Sequence, residues 1–230
     1  MHYFKFYNDV DYKIDEVTNF QIFASCLNKL NDKEEGVIKC SEPSLESLAN
    51  EIISRNNRRA VSCLVRSDSN HAVSANDYMW EKYANHHKGF CIEYNERILD
   101  GLQYLTTKLR ADQLYNVYIN VEYGPEQLII DRIDSAHDMI ESLGHKLDKW
   151  KQEQETRLIF RFPPEDSSRC IYKKEVLVGE LVPIKAKEKA YCAIYLGKYA
   201  SVEFMKPVIA FADKNKIPCY KMELSMTRIV

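Results

Sequence analysis

The sequence predicts an α+β fold: a mixed or largely antiparallel strand assembly with inserted helices, in a single domain covering residues 1–230. Three observations predict it. Short runs of β-favouring residues recur at strand length, as at residues 60–65 and 90–94. Between them lie stretches with helical spacing, such as Leu45, Leu48 and Ile52. No repeat, low-complexity segment or linker breaks the alternation.

Residues 2–7 are aromatic and strand-like, and Asn8-Asp9 ends the run. Ile14, Val17 and Phe20 carry short helical spacing, residues 20–26 read as a strand, and residues 28–36 form a polar loop. Ser44 is placed to cap the helix of Leu45, Leu48 and Ile52, which Arg55, Arg58 and Arg59 close where cations suit its dipole. A short buried strand at 60–65 follows, then a polar loop at 67–76. Asp77 is the expected cap of a helix carrying Tyr78, Met79, Trp80, Tyr83 and Ala84 on one face. His86-His87-Lys88-Gly89 stops that helix, and residues 90–94 form a strand. Residues 114–123 alternate Tyr115, Val117, Ile119, Val121 and Tyr123 against polar neighbours, the pattern of a half-buried strand. Ile129, Ile133, His137, Ile140 and Leu147 predict a long helix over 128–148. After Pro163-Pro164 the chain reads as strands at 176–182 and 191–196, a helix over 202–214 and a strand over 217–224.

A formal net charge of -2 gives no basic field of the kind that marks a nucleic-acid binder. The chain has 15 Tyr against 7 Gly, and tyrosine serves both strands and groove surfaces. Cysteines 26, 40, 63, 91, 170, 192 and 219 stand singly, so neither a disulfide framework nor a zinc site is expected. No signal peptide and no apolar run of membrane-spanning length is read, which predicts a cytoplasmic protein with no membrane partner.

Residues 150–162 hold the densest chemistry. Glu153 and Glu155 are two apart, so in a strand both carboxylates share one face, framed by Trp150, Arg157 and Arg161. Like charges on one face do not favour folding by themselves; a solvated strand edge that resists aggregation explains them as well. His86 and His87, adjacent in sequence, cannot both face one metal from a helix or strand, and no metal site is expected. The Arg55, Arg58, Arg59 and Arg66 cluster suits a nucleic-acid backbone, or equally helix capping and solubility.

At Met79-Trp80-x-x-Tyr83-Ala84-x-x-His87-Lys88-Gly89-Phe90-x-Ile92-Glu93-Tyr94 the sequence resembles domain of unknown function 2971 (DUF2971), a bacterial and phage family. Trp150-x-x-Glu153-x-Glu155-x-Arg157-Leu158 resembles a further block of that family. Tyr3-Phe4-Lys5-Phe6-Tyr7 is similar to its opening strand, and Phe23-Ala24-Ser25 with Leu30-Asn31-Asp32 to its second block, although Lys33 replaces the usual Pro. Residues 193–197 match a weaker late block. A basic early strand, an aromatic middle and a late Glu-x-Glu also resemble the layout of ADP-ribosyltransferases.

That second resemblance implies a two-sheet, ADP-ribosyltransferase-like core and a transferase consuming NAD. Its acceptor would be a protein or nucleic acid, its setting that of a toxin or phage-defence effector, with an antitoxin as candidate neutralising partner. By resemblance Glu155 would stabilise the oxocarbenium cation formed when the nicotinamide–ribose bond breaks, and Glu153 would activate the acceptor. Lys5 or His2 would meet the cofactor's phosphate or ribose, Ser62 would be the middle serine, and Tyr83 or Trp80 would stack on nicotinamide. The departures are Lys5 where Arg or His is usual, and Ser62 without a supporting motif. Lys5 also reads as a surface lysine, and Trp80 with Tyr83 as core. Glu155→Gln is expected nearly to abolish NAD turnover while leaving the fold stable. The alternative from another class is a non-catalytic ligand- or partner-binding module. A hydrolase using Glu93, Glu153 and Glu155 lacks a compact metal constellation.

Overall fold

The computed structural model describes residues 1–30, 38–56, 58–69, 76–105, 116–130, 142–162, 167–223 and 227–228. In chain order the elements are β1 (His2–Tyr7), α1 (Asp11–Thr18), β2 (Gln21–Cys26), β3 (Lys39–Cys40), α2 (Glu46–Asn56), β4 (Arg59–Ser67), α3 (Asp77–Tyr83) and β5 (Phe90–Tyr94). There follow β6 (Gln103–Tyr104), β7 (Asn116–Asn120), β8 (Glu122–Gly124), β9 (Ile129–Ile130), β10 (His145–Leu147) and β11 (Glu155–Arg161). The chain continues through β12 (Cys170–Lys173), β13 (Val176–Pro183), β14 (Tyr191–Leu196), α4 (Val202–Asn215), β15 (Cys219–Lys221) and β16 (Thr227–Arg228). The fold is mixed α+β and rich in sheet, as the alternation of patterns predicts.

Two compact units share these elements, and the chain crosses between them four times. The first takes Met1–Ile22, Leu64–Asp100 and Pro183–Val230. Its strands run in the order β4, β1, β5, β14, β15, β16. All pairs are antiparallel except β14 with β15, the parallel pair that α4 connects. Strand β5 is buried at every position, as its apolar run requires. Phe4, Phe6, Val65, Met79, Trp80, Ala84, Cys91, Ala193, Tyr195 and Met222 form a core here. Gly89 is needed by close approach: a Cβ there would lie 1.9 Å from the Tyr7 carbonyl oxygen.

The second unit takes Phe23–Cys63 and Gly101–Val182. Its strands run β12, β13, β2, β4, with β11 also against β4, β7 against β11 and β6 against β7. The β11–β7 pair is antiparallel and β6–β7 parallel; β10 pairs β8 and β3 pairs β9, both parallel. Leu45, just before α2, and Ala49 and Ile52 on α2 pack with Val61, Val117, Leu143 and Ile159 in a core of their own.

Several boundaries differ from the sequence reading. The expected helix over 128–148 is helical at 142–144, but β9 and β10 lie within its ends; Ile133, His137 and Ile140 lie outside the described residues. Isoleucines fit either period, and pairing with remote strands decides at the ends. The expected strand over 114–123 divides into β7 and β8 around Val121, whose N–H donates to Glu155 O, and Leu114 and Tyr115 lie outside the described residues. So do Asn31, Asp32, Lys33, Pro163 and Pro164. Ser44 sits inside a 3₁₀ turn, Pro43–Leu45, that leads into α2, because Pro43 is already suited to a first turn. The cap of α3 is Asn76, whose side chain accepts from Met79 N at 3.1 Å, one residue before the expected Asp77.

Candidate functional site

Glu153 and Glu155 do come together, but not as neighbours on one strand. Asp148–Glu153 is a 3₁₀ turn, Gln154 adopts a left-handed conformation (φ 42°), and β11 begins only at Glu155. The reversal at Gln154 brings both carboxylates onto one ammonium. Lys146 Nζ, from the middle of β10, donates to Glu153 Oε2 at 2.7 Å and to Glu155 Oε2 at 3.0 Å. Arg157 Nε donates to the other oxygen, Glu155 Oε1, at 2.7 Å, and its Nη1 to Leu143 O at 2.8 Å. The backbone N–H of Glu155 donates to Tyr123 Oη at 2.9 Å, and the Cys63 thiol hydrogen-bonds the carboxylate.

All four charged groups are buried, Arg157 completely. Two anions and two cations leave the cluster formally neutral, which a buried group of charges requires. Burial alone would raise the pKa of Glu155, but Arg157 first and Lys146 second overcome it and hold the carboxyl at about 2. Burial and then the Glu155 charge push the Cys63 thiol well above its ordinary range, so it is no thiolate nucleophile at neutral pH. Burial likewise raises Tyr123. Lys146 also lies 5.2 Å from the Trp150 ring centre.

The other expected site residues are divided by unit. Ser62 is buried on β4 in the second unit, with Glu153 and Glu155. His2, Lys5, Trp80 and Tyr83 belong to the first. Trp80 is core: Phe6 meets it edge-on at 5.1 Å and the His87 ring stacks on it at 5.6 Å. Tyr83 is half-buried under the Lys82 ammonium, 5.2 Å from its ring centre. Lys5 is half-buried, 5.8 Å from the Tyr7 ring centre. His2 leads to a second acid, Glu93 on β5. His2 Nδ1 lies 2.5 Å from Glu93 Oε1, and Tyr195 Oη donates to Oε2 at 2.6 Å. Glu93 is buried while the His2 side chain is 34% exposed, so this chain of polar groups leads from the interior towards solvent.

Sequence reasoning missed Lys146, Cys63, Tyr123 and Tyr195 as partners of these acids. Lys146 was hidden by the helical reading of 128–148. A demand that a buried Glu-x-Glu find cations would have prompted a search for it.

Together the folds and clusters define an α+β protein in which the buried clusters around Glu93 and Glu155 lie one in each unit. Residues 79–158 match the model of a family described as "Protein of unknown function (DUF2971)". The match runs from Met79 in α3 to Leu158 in β11 and takes in both Trp-containing blocks, Glu93, Glu153 and Glu155. No curated protein and no solved structure matches the chain. No described helix is long and apolar enough to cross a membrane.

Proposed function

We propose that the chain is a non-catalytic module that binds a ligand or partner. The observation that carries this is the charge balance at Glu155. Stabilising an oxocarbenium cation takes an anion whose field is uncompensated in a dry site. Glu155 is dry, but Lys146 and Arg157 already occupy both of its oxygens, and Glu153 shares the same lysine. Such a cluster supports a structural role for the acids. His2, Glu93 and Tyr195 offer the recognising chemistry: a buried acid that fixes a half-exposed imidazole suits a polar ligand.

A second reading is an NAD-dependent ADP-ribosyltransferase with a two-sheet core of that superfamily, acting on a protein or nucleic-acid acceptor as a toxin or phage-defence effector. What favours it is that Glu155 stays ionised at any physiological pH and meets Glu153 at the head of β11. Lys5, His2, Ser62, Trp80 and Tyr83 would then serve NAD. Nicotinamide release from NAD by the purified protein separates the two. No release above the spontaneous rate is expected; release that is lost in a folded Glu155→Gln variant, with transfer of label from NAD to an acceptor that is lost in Glu153→Gln, would overturn the binding-module reading and favour the transferase.

A further inference from the structure

The geometry points to a binding site for a divalent transition cation of the Zn²⁺, Co²⁺ or Mn²⁺ kind in the first unit, made by Asp77, Glu81 and His87. The inference does not rest on the function proposed above. Asp77 and Glu81 stand four apart on α3 and therefore on one face of the helix. His87 returns to that face through a backbone with three consecutive left-handed residues, Asn85 (φ 46°), His86 (φ 52°) and His87 (φ 62°). A run of this kind in residues with side chains is costly and persists only where the surroundings enforce it. Here they do. The His87 N–H donates to Trp80 O at 3.3 Å, its carbonyl accepts from Tyr199 N at 3.0 Å, and its ring is stacked on Trp80. A Cβ at residue 197 would lie 2.2 Å from that carbonyl oxygen, so Gly197 is required beside it.

The donor atoms of the three residues lie within 4.8 Å of one another. His87 Nε2 is 2.8 Å from Asp77 Oδ1 and 3.3 Å from Glu81 Oε1. Yet this buried nitrogen has no hydrogen bond of acceptable angle, so it is close to both oxygens without being directed at either as a donor. The angle is the stricter test of an N–H···O bond, and it leaves the nitrogen unsatisfied as a donor. Spacing of about 3.0–3.4 Å between donor atoms is what metal bonds of about 2.0–2.1 Å produce in octahedral or tetrahedral shells. His86 Nδ1 contacts Glu81 Oε2 and holds the second oxygen of that carboxylate, as outer partners of metal ligands do.

One imidazole among the donors favours borderline transition ions over Mg²⁺ or Ca²⁺. The ligand side chains of Asp77 and Glu81 are 73% and 46% exposed, so further coordination positions would face solvent and take water or a ligand oxygen. The sequence does not show this set, because His86 and His87 are adjacent and only the backbone turn brings His87 Nε2 to both carboxylates while His86 reaches Glu81 alone.

The test is calorimetric titration of the full chain with Zn²⁺ alone, together with Co²⁺ titration followed by visible absorption and by tryptophan fluorescence, since Trp80 stacks on His87. Asp77→Asn and Glu81→Gln change exposed side chains, and circular dichroism checks that both variants fold. The expected result is one Zn²⁺ per chain, Co²⁺ bands with quenched fluorescence, no response to Mg²⁺, and affinity weakened about tenfold or more in each variant. Absence of Zn²⁺ binding, or binding unchanged in both folded variants, overturns the site.

Discussion

At the scale of the residue, Arg157 sets the strongest constraint. It lies fully buried between Glu155 and Leu143 O, and removing it leaves Glu155 with Lys146 as its charged partner among the described residues. Arg157→Met is expected to cost about 3–5 kcal/mol in urea unfolding at neutral pH. Adding Glu155→Gln to it should recover part of that loss, which a double-mutant cycle would read. Glu155→Gln alone is now expected to destabilise, contrary to the expectation from sequence, because Lys146 sits between the two glutamates and their repulsion is already offset. Acid should show the same cluster. Folding lowers the Glu155 pKa from 4.5 to about 2, so its contribution is complete above pH 4.5 and is lost as pH falls towards 2. The integrated amount is on the order of 3 kcal/mol. Urea midpoints measured down that pH range should fall more steeply in wild type than in the double variant.

At the scale of the element, strands β1, β5 and β14 were legible because each is a short apolar run whose ends are marked by polar residues or Gly. The head of β11 was not. A left-handed Gln154 is invisible to periodicity, and it turns two acids that should share a strand face into a turn residue and a strand residue held by one lysine. Lys146 itself lies on a three-residue strand that exists only by pairing with β8, a partner no local pattern names. Helix α4 was read well, since Ser201 accepts from Phe204 N at its start and the apolar face is sustained. Its end carries Lys216 in a left-handed conformation (φ 57°) where glycine is preferred. Lys216→Gly is therefore expected to stabilise by about 0.5–1 kcal/mol, and Ser201→Ala to destabilise by about 1 kcal/mol, both read by thermal unfolding.

At the scale of the whole molecule, all seven cysteines are free, as their solitary placement in the sequence suggested. Alkylation after denaturation without reductant should modify seven thiols. On the native protein Cys26, Cys63, Cys91 and Cys219 should react slowest, since burial raises each thiol's pKa. Because each unit is built from separated segments, cutting the chain parts strands that pair. The family match at 79–158 contains β5 but neither β1 nor β14, the strands on its two sides, and contains the start of β11 without β4. An excised 79–158 peptide would present both edges of its most buried strand to solvent, a template for aggregation. The matched stretch thus carries chemistry and packing whose other halves lie outside it, in β1, β4 and β14.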